Sequence, residues 1–149
     1  MSDTNLMLNK ELAELRKFVV LLNSEQQSLL SNDTDSLYTL SEAKSQLAGH
    51  LVEIANSRRK SLLTKNDDTM ENWVVKHAPQ CKTLWKDIRT LANQAQQLNT
   101  TNGELIQSKM RFNQQALSVL FSSSKSAANL YGPNGQANMG SSGRHLGSG

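Results

Sequence analysis

The chain is poor in cysteine, in aromatic residues and in long apolar runs, each of which marks a common class of protein. It contains one cysteine, Cys81, which excludes an internal disulfide and a zinc site built on cysteine pairs. Aromatic residues make up 5% of its 149 residues and hydrophobic residues 37%, which is low for a protein with a deep core. No apolar run is long enough for a signal-peptide core or a membrane span. We therefore expect a soluble, cytoplasmic protein with one helical domain and no insertion into a membrane.

Glycine and acidic residues are unevenly distributed. Six of the eight glycines follow Tyr131, so we predict a disordered, flexible C-terminal tail over residues 122–149. Residues 1–104 carry 12 basic and 13 acidic side chains, whereas the last 45 residues carry 4 basic side chains and no acid. These basic residues are too sparse, and too little interleaved with aromatics, for a nucleic-acid surface. We predict no nucleic-acid partner.

The reactive side chains form no catalytic or metal-binding pattern. His50, His77 and His145 are isolated, and we expect the first two at the surface. The segment "NDTD" at 32–35 lacks the glycine and the glutamate of a calcium loop. The sequence has no glycine-rich phosphate loop and no nucleophile paired with a base. It therefore predicts no enzyme activity, no metal and no cofactor.

Leucine at heptad spacing is the main feature that is present. A first apolar series comprises Leu8, Leu12, Leu15, Val19, Leu22, Gln26 and Leu29, and a second comprises Leu37, Leu40, Lys44, Leu47, Leu51, Ile54 and Leu62. The short polar link between them predicts an antiparallel hairpin of helices at about 4–30 and 34–63, with Asp33, Thr34 or Asp35 as the N-cap. We expect the basic run at 58–60 to stabilise the C-terminal end of the second helix through its dipole.

A short helix and a long helix are predicted to follow. Asp68 and Glu71 resemble a capping box, which predicts a helix at 69–77 that ends before Pro79. A third helix is predicted at 80–121, with the apolar series Leu84, Ile88, Leu91, Ala95, Leu98, Asn102, Leu105, Lys109, Phe112, Ala116 and Val119. The Asn102-Gly103 turn signal makes two separate helices the alternative, but the unbroken heptad phase favours one. Trp73 and Trp85 should pack the short helix on the long one, with Cys81 as a small apolar filler.

These patterns together predict an all-α fold, an elongated antiparallel helical hairpin extended by a long third helix. We expect a coiled-coil-like bundle over residues 1–121, followed by the tail. Beside the third series runs a second apolar stripe that includes Ile106, Met110, Leu117 and Leu120. The resulting apolar face is wider than the hairpin requires. It is either core or a homodimer interface, or else a surface that binds a helical partner.

Two segments of the second half resemble a known family. The sequence "NGELIQSKMRFNQQALSVL", followed about ten residues later by "LYGPNGQ", resembles the C-terminal signature of the FlgN family of flagellar type III export chaperones. The segment "LLNSEQQSLLSNDTDSLYTLSEAKSQLAGHL" is similar to that family's leucine-rich first hairpin, and the resemblance extends to about Gln136. It implies an all-helical cytoplasmic chaperone for the hook-associated proteins, which form the junction between the flagellar hook and filament.

The resemblance also implies two sets of site residues. The matching positions for binding the helical C-terminal segment of the client are Leu105, Ile106, Met110, Phe112, Leu117, Val119, Leu120 and Phe121. The tail pair Leu130 and Tyr131 matches the family's motif for docking on the cytoplasmic domain of the flagellar export gate. The alternative function is a structural coiled-coil module that only self-associates.

Overall fold

The structure, a computed structural model, describes residues 3–63 and 69–128, with side chains as far as Ser122. Four α-helices account for most of these residues: α1 (Asp3–Ser31), α2 (Thr34–Leu62), α3 (Met70–His77) and α4 (Lys82–Ala128). A short 3₁₀ turn, Pro79–Cys81, precedes α4. The described residues form no strand. The predicted all-α class and the order of its helices are confirmed.

The chain divides into two units, Met1–Leu105 and Ile106–Gly149. The first unit contains α1, α2, α3 and the first half of α4, and the described part of the second unit is the remainder of α4. The helix ends at Ala128, seven residues beyond the predicted end at 121. Residues 122–128, which the sequence assigned to the tail, are therefore helical. The residues beyond Ala128, for which disorder is predicted, lie outside the described residues.

The turn between α1 and α2 is closed by backbone hydrogen bonds. The N–H of Asp33 donates to the carbonyl of Ser28 at 2.9 Å, and that of Asn32 donates to Leu29. This pattern requires a left-handed residue after the helix, which Asn32 supplies with φ of 58°. Asp33 is also the N-cap of α2, since its carboxylate accepts from the backbone N–H of Ser36. Of the three predicted N-cap residues, Asp33 is the one used.

Two ion pairs, one buried and one partly buried, hold α2 against α1. Glu25 of α1 accepts from Lys44 at 3.1 Å, and Glu11 accepts from Arg58 at 2.8 Å. The acids and the bases are each two heptads apart, so both pairs fit one antiparallel register. Of the basic run predicted to stabilise the end of α2, Arg59 and Lys60 lie in its last turn. The prediction is wrong for Arg58, whose side chain is only 8% exposed and pairs with Glu11.

The larger core cluster joins α1 to α3, the 3₁₀ turn and α4. Its buried members are Leu8, Leu12, Leu15, Met70, Val74, Ala78, Cys81 and Ile88, with Trp73 and Trp85 packed against them. Cys81 is fully buried, as expected of a small apolar filler. The start of α3 differs from the prediction, because Thr69 is its N-cap and accepts from Asn72 N–H at 3.2 Å. Asp68 lies outside the described residues.

The second core cluster aligns α4 with α1. Val19, Leu22 and Ala95 form it, and one heptad beyond Ala95 lies the fully buried Asn102. The Asn102 amide donates at 2.9 Å to the carbonyl of Leu22 and at 2.9 Å to the Glu25 carboxylate. These bonds use both N–H groups of the amide, while its buried Oδ1 atom accepts no hydrogen bond. Asn102 and Gly103 lie inside the helix, so this dipeptide is not a turn. The alternative of two separate helices is therefore wrong, and α4 is continuous.

Removing the Arg58 charge should destabilise the fold strongly. Arg58→Met leaves Glu11 as a buried carboxylate without its partner, so we expect the free energy of unfolding to fall by about 3–5 kcal/mol. Urea denaturation followed by circular dichroism measures this loss. The double variant Glu11→Met, Arg58→Met should recover most of it, because both charges are then absent.

The matched control is Lys17→Met, which removes a pair that lies on the surface with Glu14. Because water already solvates both groups, its effect should be much smaller. Equal effects of Arg58→Met and Lys17→Met would show that the buried pair does not hold α2 in place.

Gly103→Ala should stabilise the protein by about 1 kcal/mol, because glycine is a poor residue for a helix interior. A Cβ atom built on Gly103 meets nothing within 4 Å, and the same holds for Gly49 in α2. Gly49→Ala is therefore the matched control, with a similar expected gain in thermal and urea denaturation. A gain at Gly49 but a loss at Gly103 would mean that the chain opens into a turn at Asn102-Gly103.

Candidate helix-binding surface on the fourth helix

The predicted client-binding residues all lie on α4, but not in one environment. Leu105 is the last residue of the first unit and is half-buried. The other seven belong to the second unit and are exposed, from 37% at Ile106 to 69% at Phe112. We call these seven the distal apolar face; they are Ile106, Met110, Phe112, Leu117, Val119, Leu120 and Phe121.

Helical periodicity collects these residues on one side of α4. At about 100° per residue, the apolar positions between 105 and 121 cover roughly 200° of the helix circumference. The remaining arc is polar and comprises Gln107, Ser108, Arg111, Gln114, Gln115, Ser118 and Ser122. Two polar residues, Lys109 and Asn113, interrupt the apolar side. The distal part of α4 is therefore strongly amphipathic, and its apolar side, which is the wider one, is exposed to solvent.

Burial along the third apolar series stops partway along α4. Ile88, Ala95 and Asn102 are buried, whereas Leu105 and Lys109 are half-buried. Every residue from 110 to 122 is exposed. The interpretation of the apolar surplus as core of the single chain is therefore wrong. A surface for another polypeptide, whether a partner or a second copy, is consistent with this exposure.

The charge on this segment has one sign. Residues 105–122 include Lys109 and Arg111 and contain no acid. Arg111 lies on the polar side, where its guanidinium donates to the hydroxyl of Ser108 at 3.3 Å. A positive segment without acids favours an acidic partner through long-range attraction.

The other predictions concern the histidines, metal binding, membrane insertion and the docking pair. His50 is exposed, near Glu14 and Glu53, as expected of a surface residue. Across the described ranges, no group of three His, Cys, Asp or Glu side chains is arranged to hold a metal ion. None of the helices in those ranges is long and apolar enough to cross a membrane. Leu130 and Tyr131, the predicted docking pair, lie outside the described residues.

Sequence reasoning assigned no function to the cleft between α3 and the start of α4. Val75 is 59% exposed beside it, and Lys82 and Lys86 lie along its edge. A signal was available, because two lysines at helical spacing beside Trp85 put an aromatic ring and positive charge on one surface. The missing information was the position of α3, which forms the opposite wall.

The fold and this surface define a class: an all-helical protein that presents an amphipathic helix face to solvent. The family model described as FlgN protein matches residues 1–139, and the chain belongs to the FlgN family. It is similar to the Flagella synthesis protein FlgN of Escherichia coli (strain K12), at 29% identity over 132 residues, which cover 87% of this chain and 86% of that protein. No solved structure matches the chain. The family resemblance predicted from the sequence is confirmed.

Proposed function

We propose that this protein is a cytoplasmic flagellar export chaperone for hook-associated proteins. It binds the helical C-terminal segment of its client, prevents premature assembly and delivers the client to the flagellar export gate. The observation that carries the proposal is the distal apolar face, seven exposed apolar side chains on one helix. Membership of the FlgN family, and similarity to a protein named for flagella synthesis, support the proposal.

An amphipathic client helix is the natural occupant of this face. An unpaired client helix exposes its own apolar stripe, which makes it prone to associate with other copies. Packing that stripe on Leu117, Leu120 and their neighbours removes apolar surface from water on both helices, at about 25 cal/mol per Å². The same contact hides the surface through which the client would assemble. Holding of this kind requires neither catalysis nor a cofactor.

Delivery requires that the client be released. A single helix face gives a modest interface, so we expect a dissociation constant in the micromolar range, or about −8 kcal/mol of binding free energy. Exposed apolar side chains on one helix, rather than a closed pocket, suit such an interface. The wide apolar arc also accepts clients whose stripes differ in detail.

Docking on the cytoplasmic domain of the export gate is assigned to Leu130 and Tyr131. These residues begin two positions after Ala128, the last residue of α4, so the motif is tethered close to the client-binding helix. Tyrosine supplies a large contact area at low cost in side-chain entropy. Tethering raises the effective concentration of the motif near a bound client, so contacts by chaperone and client reinforce each other.

The second candidate function is self-association. An exposed apolar face of this size also suits a second copy of the chain, as in a coiled-coil homodimer. Both functions use the same residues, and only the occupant differs. Binding measurements at several protein concentrations separate them.

Calorimetric titration with a peptide from the C-terminal end of a hook-associated protein tests the proposal. We expect saturable one-to-one binding by the intact chain. The variant Leu117→Asp, Leu120→Asp should bind about 100-fold more weakly or not at all, because it places two charges in the centre of the apolar face. Its helicity should persist, since both side chains are exposed.

The matched control is Gln115→Asp, Ser118→Asp, which adds the same charges at the same spacing on the polar side. Its affinity should remain close to that of the intact chain. Absence of peptide binding, together with a dimer that the Leu117→Asp, Leu120→Asp variant abolishes, would instead identify a self-association module.

Truncation after Ala128 should separate holding from docking. We expect the truncated chain to keep its affinity for the client peptide, because α4 remains complete. Its complex with the client should no longer bind the cytoplasmic domain of the export gate in a pull-down or by interferometry. Tyr131→Ala should reproduce most of this loss, whereas the tail substitution Asn138→Ala should not. Full gate binding by the truncated chain would exclude the Leu-Tyr motif.

A further inference from the structure

We propose that the cleft between α3 and the first turns of α4 is a second binding site, which takes an acidic amphipathic segment of a partner protein. The cleft combines an apolar floor around Trp85 with the positive side chains of Lys82 and Lys86 along α4. Its volume is about 390 Å³, within the range of ligand-binding clefts. It lies entirely in the first unit and uses none of the residues of the distal apolar face.

The apolar part of the cleft accepts a side chain from outside. Val74 is fully buried at its base, and Trp85 is half-buried beside it. Val75, on the next position of α3, is 59% exposed at the rim. A leucine-sized or phenylalanine-sized side chain placed here would cover Val75 and the exposed part of Trp85 together, which removes apolar surface from water.

The tryptophan ring is already held in place. Its indole N–H donates to the Glu71 carboxylate at 2.9 Å, and the Arg58 guanidinium lies 4.7 Å from the ring centre. Contacts from both α2 and α3 therefore fix the orientation of Trp85. A preformed wall reduces the entropy that is lost when a ligand binds.

The charge on the cleft selects the partner. Glu71 is the one acid that lines it, and this carboxylate is engaged by Trp85 and by the guanidinium of Arg89. These contacts, the hydrogen bond from Trp85 above all, lower the pKa of Glu71, so it remains ionised and compensates Arg89. Lys82 and Lys86 then give the cleft a net positive charge.

The spacing of the two lysines indicates a helical ligand. Positions four apart on a helix lie about 5–6 Å apart at Cβ, on the same side. Carboxylates one turn apart on a partner helix match that spacing, and an apolar side chain between them would reach Val75 and Trp85. An acidic amphipathic segment therefore fits both the charge and the apolar floor.

The fluorescence of Trp85 reports whether a peptide binds in the cleft. The chain contains two tryptophans, so Trp73→Phe leaves Trp85 as the single fluorescent reporter. This change is combined with Leu117→Asp, Leu120→Asp, so that an amphipathic peptide has no competing surface on the distal apolar face. The probe is a 14-residue helical peptide with leucines along one face and two glutamates four positions apart beside them. The comparison peptide has glutamine at those two positions.

We expect the acidic peptide to shift the Trp85 emission saturably and to bind at least about tenfold more tightly than the glutamine peptide. Lys82→Glu, Lys86→Glu should lower its affinity at least tenfold. The control Lys10→Glu, Arg16→Glu changes the net charge equally at exposed positions of α1 outside the cleft, and it should have little effect. Val75→Glu, at an exposed site, should also abolish binding without loss of helicity.

Three results would overturn the inference. The first is equal affinity for the two peptides, and the second is an equal effect of the two double charge variants, which would indicate general attraction rather than a site. The third is a Trp85 shift with vesicles of anionic phospholipid but not with the acidic peptide, which would assign the cleft to a lipid surface. None of these results bears on client binding, because the distal apolar face is disabled in the tested background.

Discussion

The buried guanidinium of Arg58 is the constraint on which the packing of the first unit rests. It binds the Glu11 carboxylate of α1 and lies over the ring of Trp85 in α4, so one side chain of α2 positions two other helices. Trp85 in turn donates to Glu71 of α3. A buried charge without its partner is costly by several kcal/mol, so any register of α2 that separates these groups is strongly disfavoured.

A second polar cluster repeats this arrangement two heptads along the hairpin. Lys44 of α2 and Asn102 of α4 both donate to the buried carboxylate of Glu25. Apolar leucine contacts are tolerant of sliding, whereas the N–H groups of a buried amide and the charges of a buried ion pair find their partners in one alignment only. The polar interruptions in the leucine series therefore specify the register. Asn102, one of these interruptions, is also the last buried residue among those described in α4.

The chain has similar apolar residues in two different environments. In the first unit, Leu8, Leu22 and Val74 are fully buried and stabilise the helices against one another. In the second, Leu117 and Leu120 are about two-thirds exposed and contribute little to the stability of the isolated chain. This separation leaves the apolar face of the second unit exposed while the first unit keeps a core of its own. The cleft beside Trp85 differs in chemistry, since basic side chains as well as apolar ones line it.

Local pattern was sufficient for the four helices and for most of their ends, because periodicity, caps and proline act within a few residues. It placed the end of α4 seven residues too early. It was also sufficient for the amphipathic stripe at 105–121 and for the family resemblance. It misjudged Arg58, which in the run at 58–60 is indistinguishable from a solvated helix end until Glu11 and Trp85 are placed around it. It left Asn102-Gly103 ambiguous, because a local turn preference competes with hydrogen bonds to residues about eighty positions away. Burial depends on how helices pack against one another and not on one helix alone. Only the packing could therefore show that the third apolar series is buried as far as Asn102 and exposed from Met110 onward.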